Sequence, residues 1–375
     1  MTTVTRPAMP FATWHSMWRR SLLGLLFGLL FVPAVSAQEP TLEELLREGD
    51  IYFTRGDCQL SQFIFQEALE QAPDNVAALL GQGRALVCQG AFELGIEAYQ
   101  QALSLDSRNL TGYVRLASAY LAQYNSSPEQ YASNLDQALS TLGTAQSIDP
   151  NDSRVLNTRG IILYELGDFE QARDALAQAS ANTDGTDLSA LDRSRIQVNL
   201  GRSYRALGQS QLALEAFREA VTLDPTNFEA RNYLGETLFV QGNCDQGVFE
   251  LRQAANLAPD DLASVANLGI ALFECGQVET ALTSIEQALA LDGVSIPALY
   301  TYLARVYLEQ GRIEEAVREA QKGALLPPAS AESLYWLGQI YESAGNVPAA
   351  RESYQRGLDI DPNNNLIESA VRELN

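Results

Sequence analysis

The residues of this chain that could do chemistry are one histidine, four cysteines and 47 acidic residues. A serine or cysteine nucleophile needs an adjacent base, most often histidine, and the single histidine, His15, lies in the N-terminal segment. Acidic pairs such as Glu314-Glu315 fall at predicted helix starts, where carboxylates favour the helix dipole. No glycine-rich phosphate loop follows a strand pattern. The sequence therefore predicts no catalytic residue, no cofactor and no enzyme activity.

The N-terminal segment has the pattern of an export signal. Arg19 and Arg20 precede an apolar run over residues 22–32, and the small residues 35–37 suit signal peptidase. The run is shorter than the ~20 residues of a membrane-spanning helix. We expect residues 1–37 to be a cleaved signal peptide, and an uncleaved membrane anchor is the alternative. The predicted location is periplasmic, cell-surface or extracellular.

The charge balance restricts the class of partner. The formal net charge is −22, and removal of residues 1–37 takes away arginines and no acid. Such acidity disfavours contact with a nucleic-acid backbone or an anionic membrane surface. We expect a protein or peptide partner, no nucleic acid, and membrane contact only through an uncleaved signal.

A period of 34 residues runs through almost the whole chain. The eighth place of successive units holds a small residue, which is glycine at Gly49, Gly83, Gly160, Gly201, Gly235, Gly269 and Gly338. Counting from Leu42 gives nine units, over residues 42–75, 76–109, 110–152, 153–186, 194–227, 228–261, 262–296, 297–330 and 331–364. Every unit except the third has glycine at place 15, and many have proline at place 32. Apolar residues between these marks keep helical spacing, so each unit is predicted to be two helices joined by a glycine turn.

This pattern resembles the tetratricopeptide repeat family. Unit nine carries the family's marks at Leu337, Gly338, Tyr341, Ala350, Tyr354, Gly357 and Pro362. The resemblance covers residues 42–364 and implies an all-α, right-handed superhelical solenoid of about nine helix-turn-helix units. Residues 38–375 are then a single domain, and residues 365–375 form a C-terminal capping helix. The family is used widely in bacterial secretion and envelope assembly, which fits an exported bacterial member.

Two units depart from the period. In unit three the turn between the helices is enlarged around residues 125–131. Seven additional residues, 187–193, precede unit five and are expected to extend its first helix backwards. Both are interpreted as tolerated surface insertions, with contact sites as the alternative.

The four cysteines occupy equivalent places in two pairs of units. Cys58 and Cys244 are at place 17, and Cys88 and Cys275 are at places 13 and 14 of the following units. In stacked units the start of one second helix lies beside the end of the next first helix, so Cys58–Cys88 and Cys244–Cys275 disulfides are predicted. Four buried thiols are the alternative. The spacing without histidine does not fit a zinc site, and no metal is expected.

The resemblance also implies a groove lined by the first helices, into which places 2, 5, 9, 12 and 13 project, with place 6 beside them. The candidate partner-binding residues are Arg84, Asn157, Arg195, Asn199, Arg202, Arg205, Asn232, Asn267, Arg305 and Tyr335. Asparagine amides can bond both the C=O and the N–H of an extended peptide, and arginine adds selectivity for carboxylates. Arg195, Arg202 and Arg205 are predicted to receive an acidic or C-terminal segment. Alternatively, they pair with neighbouring acids of the chain.

The function predicted from the sequence is that of an exported scaffold or adaptor, which binds a protein or peptide in its concave groove during secretion or envelope assembly. Two alternatives stay open. One is a structural envelope component that associates with itself. The other is a glycan-binding solenoid, for which Tyr335 and Trp336 are the candidate aromatic platform.

Overall fold

The computed structural model describes residues 39–183, 188–291, 295–328 and 330–374. The predicted signal peptide, residues 1–37, lies outside the described residues. Within the described ranges the structure contains 19 α-helices and no β-strand, which confirms the all-α prediction. None of these helices combines the length and the apolar character needed to cross a membrane.

The helices follow one another in pairs. We number them α1 to α19, with the bounds α1 Leu42–Thr54, α2 Cys58–Gln71, α3 Val76–Cys88, α4 Phe92–Leu105, α5 Leu110–Ser126, α6 Asn134–Ile148, α7 Ser153–Glu165, α8 Phe169–Ala181, α9 Ala190–Ala206, α10 Ser210–Leu223, α11 Phe228–Val240, α12 Cys244–Leu257, α13 Leu262–Glu274, α14 Val278–Ala290, α15 Pro297–Glu309, α16 Ile313–Leu325, α17 Ala331–Ser343, α18 Val347–Ile360 and α19 Asn365–Glu373. The odd-numbered helices from α1 to α17 are the first helices of the units, and the even-numbered helices are the second helices.

The helices form two layers. Each helix packs against the next along the chain, and each first helix also packs against the first helix of the following unit. Neighbouring second helices make no contact of similar extent within the described ranges. The first helices therefore form a continuous inner layer, and the second helices are spread apart on the outside. This is a solenoid, as predicted, and α19 packs on α18 at its C-terminal end.

Polar caps and glycine turns fix where the helices begin and end. Asn227 is typical of the residues that precede first helices, because its side chain accepts a hydrogen bond from the backbone N–H of Ala230. The turn inside every unit except the third is typified by Gly208, whose φ is 72°. Its N–H donates to the Arg205 carbonyl at 3.0 Å, and the next N–H donates to the Tyr204 carbonyl at 2.8 Å. The helix therefore ends with a residue in the αL conformation, which glycine adopts without the steric strain that a Cβ atom causes.

A glycine at place 8 lets the two helices of a unit approach closely. In unit five, a Cβ added at Gly201 would lie 2.5 Å from the ring of Phe217, which is fully buried. Gly83 and Gly338 have the same relation to the rings of Tyr99 and Tyr354. The ring from the second helix therefore packs directly on the backbone of the first helix, and the small residue is a steric requirement.

The enlarged turn of unit three is an ordered element. Gln123, at the end of α5, is 5% exposed and donates from Nε2 to Oε1 of Glu93 at 2.5 Å. The Tyr131 hydroxyl donates to the same oxygen at 3.1 Å, and Asn134 Nδ2 donates to Gln123 Oε1 at 2.8 Å. These bonds attach the turn to the second helix of unit two. In unit five, α9 begins at Ala190, so its predicted backward extension is confirmed.

Two disulfides connect neighbouring units, and the predicted pairing is confirmed. Cys58 at the start of α2 is bonded to Cys88 at the end of α3, with Cα atoms 6.1 Å apart. Cys244 at the start of α12 is bonded to Cys275 just after α13, with Cα atoms 5.8 Å apart. Each bond fixes a second helix against the next first helix.

We expect loss of either disulfide to destabilise the solenoid locally. Replacing Cys244 and Cys275 together with serine opens a loop of sequence separation 31, and the expected loss is about 2–4 kcal/mol in the free energy of unfolding. Urea denaturation followed by circular dichroism measures it. In a chain that lacks both disulfides, added dithiothreitol should change nothing further. An unchanged urea midpoint in the Cys244→Ser/Cys275→Ser variant would contradict the prediction.

The glycine at place 8 gives a second stability test. Gly201→Ala places a methyl group against the Phe217 ring, so it should lower the free energy of unfolding by about 1–3 kcal/mol. Gly143 is the matched control, because it is helical and exposed and its added Cβ would meet nothing within 4 Å. Gly143→Ala should therefore stabilise the protein by up to about 1 kcal/mol. Equal effects of the two substitutions would show that the close approach is unimportant.

Candidate functional site

The predicted groove residues lie on the inner layer, where side chains of adjacent first helices contact one another. Arg154 of α7 donates to the Thr111 hydroxyl of α5 at 3.3 Å, and Arg205 of α9 bonds Glu236 of α11 at 2.8 Å. Such contacts between neighbouring units recur along the layer. They orient the polar side chains before any partner is present.

Two asparagine pairs repeat the same arrangement. Asn199 Nδ2 donates to Asn157 Oδ1 at 3.1 Å, between α9 and α7. Asn267 Nδ2 donates to Asn232 Oδ1 at 3.2 Å, between α13 and α11. Asn157, Asn199 and Asn267 are half-buried, and Asn232 is 8% exposed. An amide carries two N–H donors and two acceptor lone pairs, so the bond within each pair uses only part of its hydrogen-bonding capacity.

Most of the predicted groove arginines are paired with acids of the neighbouring unit. Arg202 lies 3.8 Å from Glu165, and Arg205 lies 2.8 Å from Glu236. For these two residues the geometry corresponds to the alternative of pairing within the chain. Arg195 differs, because it is exposed and has no acidic partner within the described ranges. The positive lining that we predicted is partly neutralised in the free protein.

The same arginines stack on aromatic rings. Arg202 lies over the Tyr164 ring with 4.6 Å from its guanidinium carbon to the ring centroid. In units one and two, Arg84 lies 4.0 Å over Phe53 and also bonds Asp50. Both stacks join place 9 of one unit to place 12 of the preceding unit, and such cation–π contacts contribute about 0.5–2 kcal/mol. This relation was not predicted, although the sequence shows Arg at place 9 together with an aromatic residue at place 12 of the preceding unit.

Arg305 occupies an aromatic box between units seven and nine. Its guanidinium carbon lies 4.6 Å from the Phe273 ring, 4.9 Å from the Tyr302 ring and 4.0 Å from the Trp336 ring. It bonds Glu274 at 2.7 Å, and only 14% of its side chain is exposed. Burial, and secondarily the charge of Glu274, raise the pKa of Tyr302. The box is therefore a strong local site for a guanidinium group.

Tyr335 and Trp336 do not form an open aromatic platform. Trp336 carries the guanidinium of Arg305 on its ring. Tyr335 is half-buried in the C-terminal cluster, where its ring centroid lies 6.1 Å from that of Tyr354. A sugar ring would need a free aromatic face at this position, so the geometry does not favour the glycan-binding alternative.

Arg115 is an inner-layer residue that was not among the predicted binding residues. It sits at place 6 of unit three and donates from Nη1 to the Leu80 carbonyl at 3.1 Å. Burial, and secondarily the nearby Arg84, lower its pKa.

The described ranges contain no cluster of three or more His, Cys, Asp or Glu side chains that could hold a metal ion.

An open groove of about 490 Å³ lies on the outer face between α10 and α12, with Leu234, Leu238 and Phe249 among its lining residues. The predicted partner-binding residues lie on the inner layer and do not line this groove.

The repeat pattern agrees with known protein families. A tetratricopeptide repeat model matches residues 46–124, 198–261, 266–329 and 303–365, and a second one matches residues 152–226. Since these matches include more than half of the chain, the protein belongs to the tetratricopeptide repeat family.

Curated proteins with established names are similar to parts of this chain. Anaphase-promoting complex subunit CDC16 of Saccharomyces cerevisiae is 27% identical over 200 residues, which are 53% of this chain and 23% of CDC16. BBSome complex member BBS4 of Bos taurus is 22% identical over 317 residues, 84% of this chain and 58% of BBS4. The chain thus spans less than two thirds of each of these curated relatives.

Solved structures share the fold. The APC/C hetero-tetramer Cut9-Hcn1 aligns with a TM-score of 0.52 at 13% identity, covering 89% of this chain and 90% of that one. PilF of Pseudomonas aeruginosa aligns with a TM-score of 0.50 at 19% identity, covering 59% of this chain and 97% of that one.

The aromatic box can be tested by fluorescence. Trp336 is the only tryptophan within the described ranges, and Trp14 and Trp18 can be replaced with phenylalanine. In that background Arg305→Ala should shift Trp336 emission to longer wavelength, because the ring loses its covering guanidinium. It should also lower the free energy of unfolding by about 1–2 kcal/mol. Arg195→Ala, which removes an exposed arginine, should change neither quantity, and an unshifted spectrum for Arg305→Ala would contradict the geometry.

Proposed function

We propose that this protein is a scaffold or adaptor that binds an extended segment of a partner protein along its inner layer. The observation that carries the proposal is the pair of equivalent amide contacts, Asn157–Asn199 and Asn232–Asn267. They are two units apart and each leaves one donor and one acceptor for a peptide backbone. Hydrogen bonds to the backbone hold a segment in place independently of most of its side chains.

The inner layer needs little reorganisation to bind such a segment. Its polar side chains are already held by neighbouring units through hydrogen bonds, ion pairs and aromatic stacking. Binding to preoriented groups costs less conformational entropy than binding to mobile ones. A long solenoid surface can therefore bind a flexible polypeptide with useful affinity.

The similar proteins support a role in assembly. CDC16 and BBS4 are named as members of multiprotein complexes. By analogy, we infer that this chain holds partner proteins together and acts by binding rather than by catalysis. The net charge of −22 supports a protein partner over nucleic acid.

We further propose that the protein works outside the cytoplasm, in secretion or envelope assembly. The signal pattern of residues 1–37 and the use of all four cysteines in two disulfides support this location. Cell fractionation with detection of the processed N-terminus tests it. Recovery of the full-length chain in the cytoplasm alone, with free thiols, would contradict it.

Removal of the amide pairs should weaken partner binding. Chemical crosslinking in the native cell followed by mass spectrometry identifies the partner and the contact residues. Asn199→Ala/Asn267→Ala should reduce crosslinked partner by up to about 30-fold, because about 1 kcal/mol is lost with each of the two backbone contacts. Asn256→Ala, an exposed asparagine on the outer helix α12, is the matched control and should change nothing. Crosslinks confined to outer helices, unaffected by the double substitution, would contradict the inner-layer site.

A further inference from the structure

Charge is segregated along the inner layer. The groove-facing places of units two to five carry arginines, which are Arg84, Arg115, Arg154, Arg195, Arg202 and Arg205. Four of these pair with single acids, which are Asp50, Asp152, Glu165 and Glu236. Because Arg195 and Arg115 have no acidic partner within the described ranges, this half of the surface is net positive although the whole chain is strongly acidic.

The other half has the opposite sign. The same places of units six to nine carry Glu229, Glu236, Glu274, Glu309, Glu332 and Glu342. Arg305 is the single base at these places, and it is paired with Glu274. Glu229, Glu309 and Glu332 are exposed, and no basic partner lies within 4 Å of them in the described ranges. A partner would therefore meet unneutralised carboxylates here.

The aromatic side chains of the negative half are occupied within the chain, since Arg305 lies over Phe273, Tyr302 and Trp336. The attraction for a partner therefore comes from the exposed carboxylates, which favour arginine and lysine side chains by charge and, for arginine, by paired hydrogen bonds. The positive half offers guanidinium groups, which favour carboxylates.

We propose that the inner layer selects a polypeptide segment in which charge is segregated, with an acidic stretch over α7 and α9 and a basic, arginine-containing stretch over α13 to α17. This rests on the proposed function and adds the chemical class of the partner and its direction in the groove. A segment with these two stretches in the opposite order would have to bind with reversed chain direction.

The two halves meet at the Arg205–Glu236 ion pair, but first helices deeper in each half are far enough apart to act separately. Neighbouring first helices pack about 8–10 Å apart, so the three steps from α9 to α15 span about 25–30 Å. Charges are screened over about 8 Å at physiological ionic strength, so neither half cancels the other for a bound segment. An extended chain covers the distance with about eight or nine residues.

Synthetic peptides test the selection. A fluorescein-labelled peptide with about four glutamates, about five Gly/Ser residues and about four arginines spaces its charged blocks as the two halves are spaced. An isomer with the same composition alternates glutamate and arginine. We expect the segregated peptide to bind the full chain at least about fivefold more tightly than the isomer at about 50 mM salt, measured by fluorescence anisotropy. Equal affinities would overturn the proposal.

Variants assign each stretch to its half. Arg202→Glu/Arg205→Glu should weaken binding of a glutamate-only peptide about fivefold and leave an arginine-only peptide unaffected. Arg218→Glu/Arg252→Glu, two exposed arginines on the outer helices α10 and α12, makes the same change in net charge and is the control. Arg202→Gln/Arg205→Gln avoids new repulsion with Glu165 and should show the same direction if the first variant unfolds.

The reverse pattern is expected for the negative half. Glu309→Lys/Glu332→Lys should weaken binding of the arginine-only peptide about fivefold and leave the glutamate-only peptide unaffected. Glu219→Lys/Glu279→Lys, on the outer helices α10 and α14, is the matched control. If the inner-layer double variants and their outer-helix controls change the binding of both peptides equally, binding depends on net charge alone and the proposal is wrong.

The outcome separates this inference from the proposed function. Loss of peptide selectivity, with partner crosslinks that still depend on Asn199 and Asn267, would reject segregated charge and keep the inner layer as a binding surface. Loss of both would reject the two proposals together.

Discussion

The structure depends on the packing of a large side chain of the second helix against the backbone of the first helix, in the seven units that carry glycine at place 8. Phe217 on Gly201 and Tyr354 on Gly338 show why the eighth place is small, since any Cβ there would enter the ring. This close approach fixes the spacing of the two helices, and the glycine turn fixes their connection. Units of constant geometry can then stack through their first helices, which creates the inner layer. The disulfides add covalent connections at two of these junctions.

The inner layer is polar, and its side chains are held by contacts with neighbouring units. Arginines such as Arg202 stack on a ring of the preceding unit and approach its carboxylate, and amides bond across the same junctions. Exposed ion pairs contribute little to stability, about 0–1 kcal/mol each. Their main consequence is orientation, because a side chain held on two sides has few rotamers left to lose when a partner binds. The surface that is proposed to bind is thus also the surface along which neighbouring units contact one another.

The sequence predicts what lies within one period and at fixed places between adjacent periods. The solenoid, the helix pairs and the cysteine partners follow from place numbers alone. The box around Arg305 was not predicted, because it combines places 6, 9 and 12 of three units and depends on rotamers. The bonds of Gln123 and Glu93 were missed because the enlarged turn breaks the period. The sequence could not decide whether Arg202 and Arg205 form ion pairs, because a place number shows that two charged residues are neighbours but not that their side chains are in contact.

A solenoid tolerates segregated charge better than a globule does. In a globule, surface charges of all segments surround one core, so a positive half and a negative half attract each other across a short distance and favour compaction or self-association. In a stack, each unit contacts only the neighbouring units, and solvent ions screen the charges of unit five from those of unit eight. The segregation along the inner layer therefore adds little folding energy. A local ion-pair network would instead place acids and bases alternately, as the Arg205–Glu236 junction does where the two halves meet. Arg195, Glu309 and Glu332 lie outside such pairs, so their charges are available to a partner. The order of these charges along the groove then determines the chain direction in which a partner segment binds.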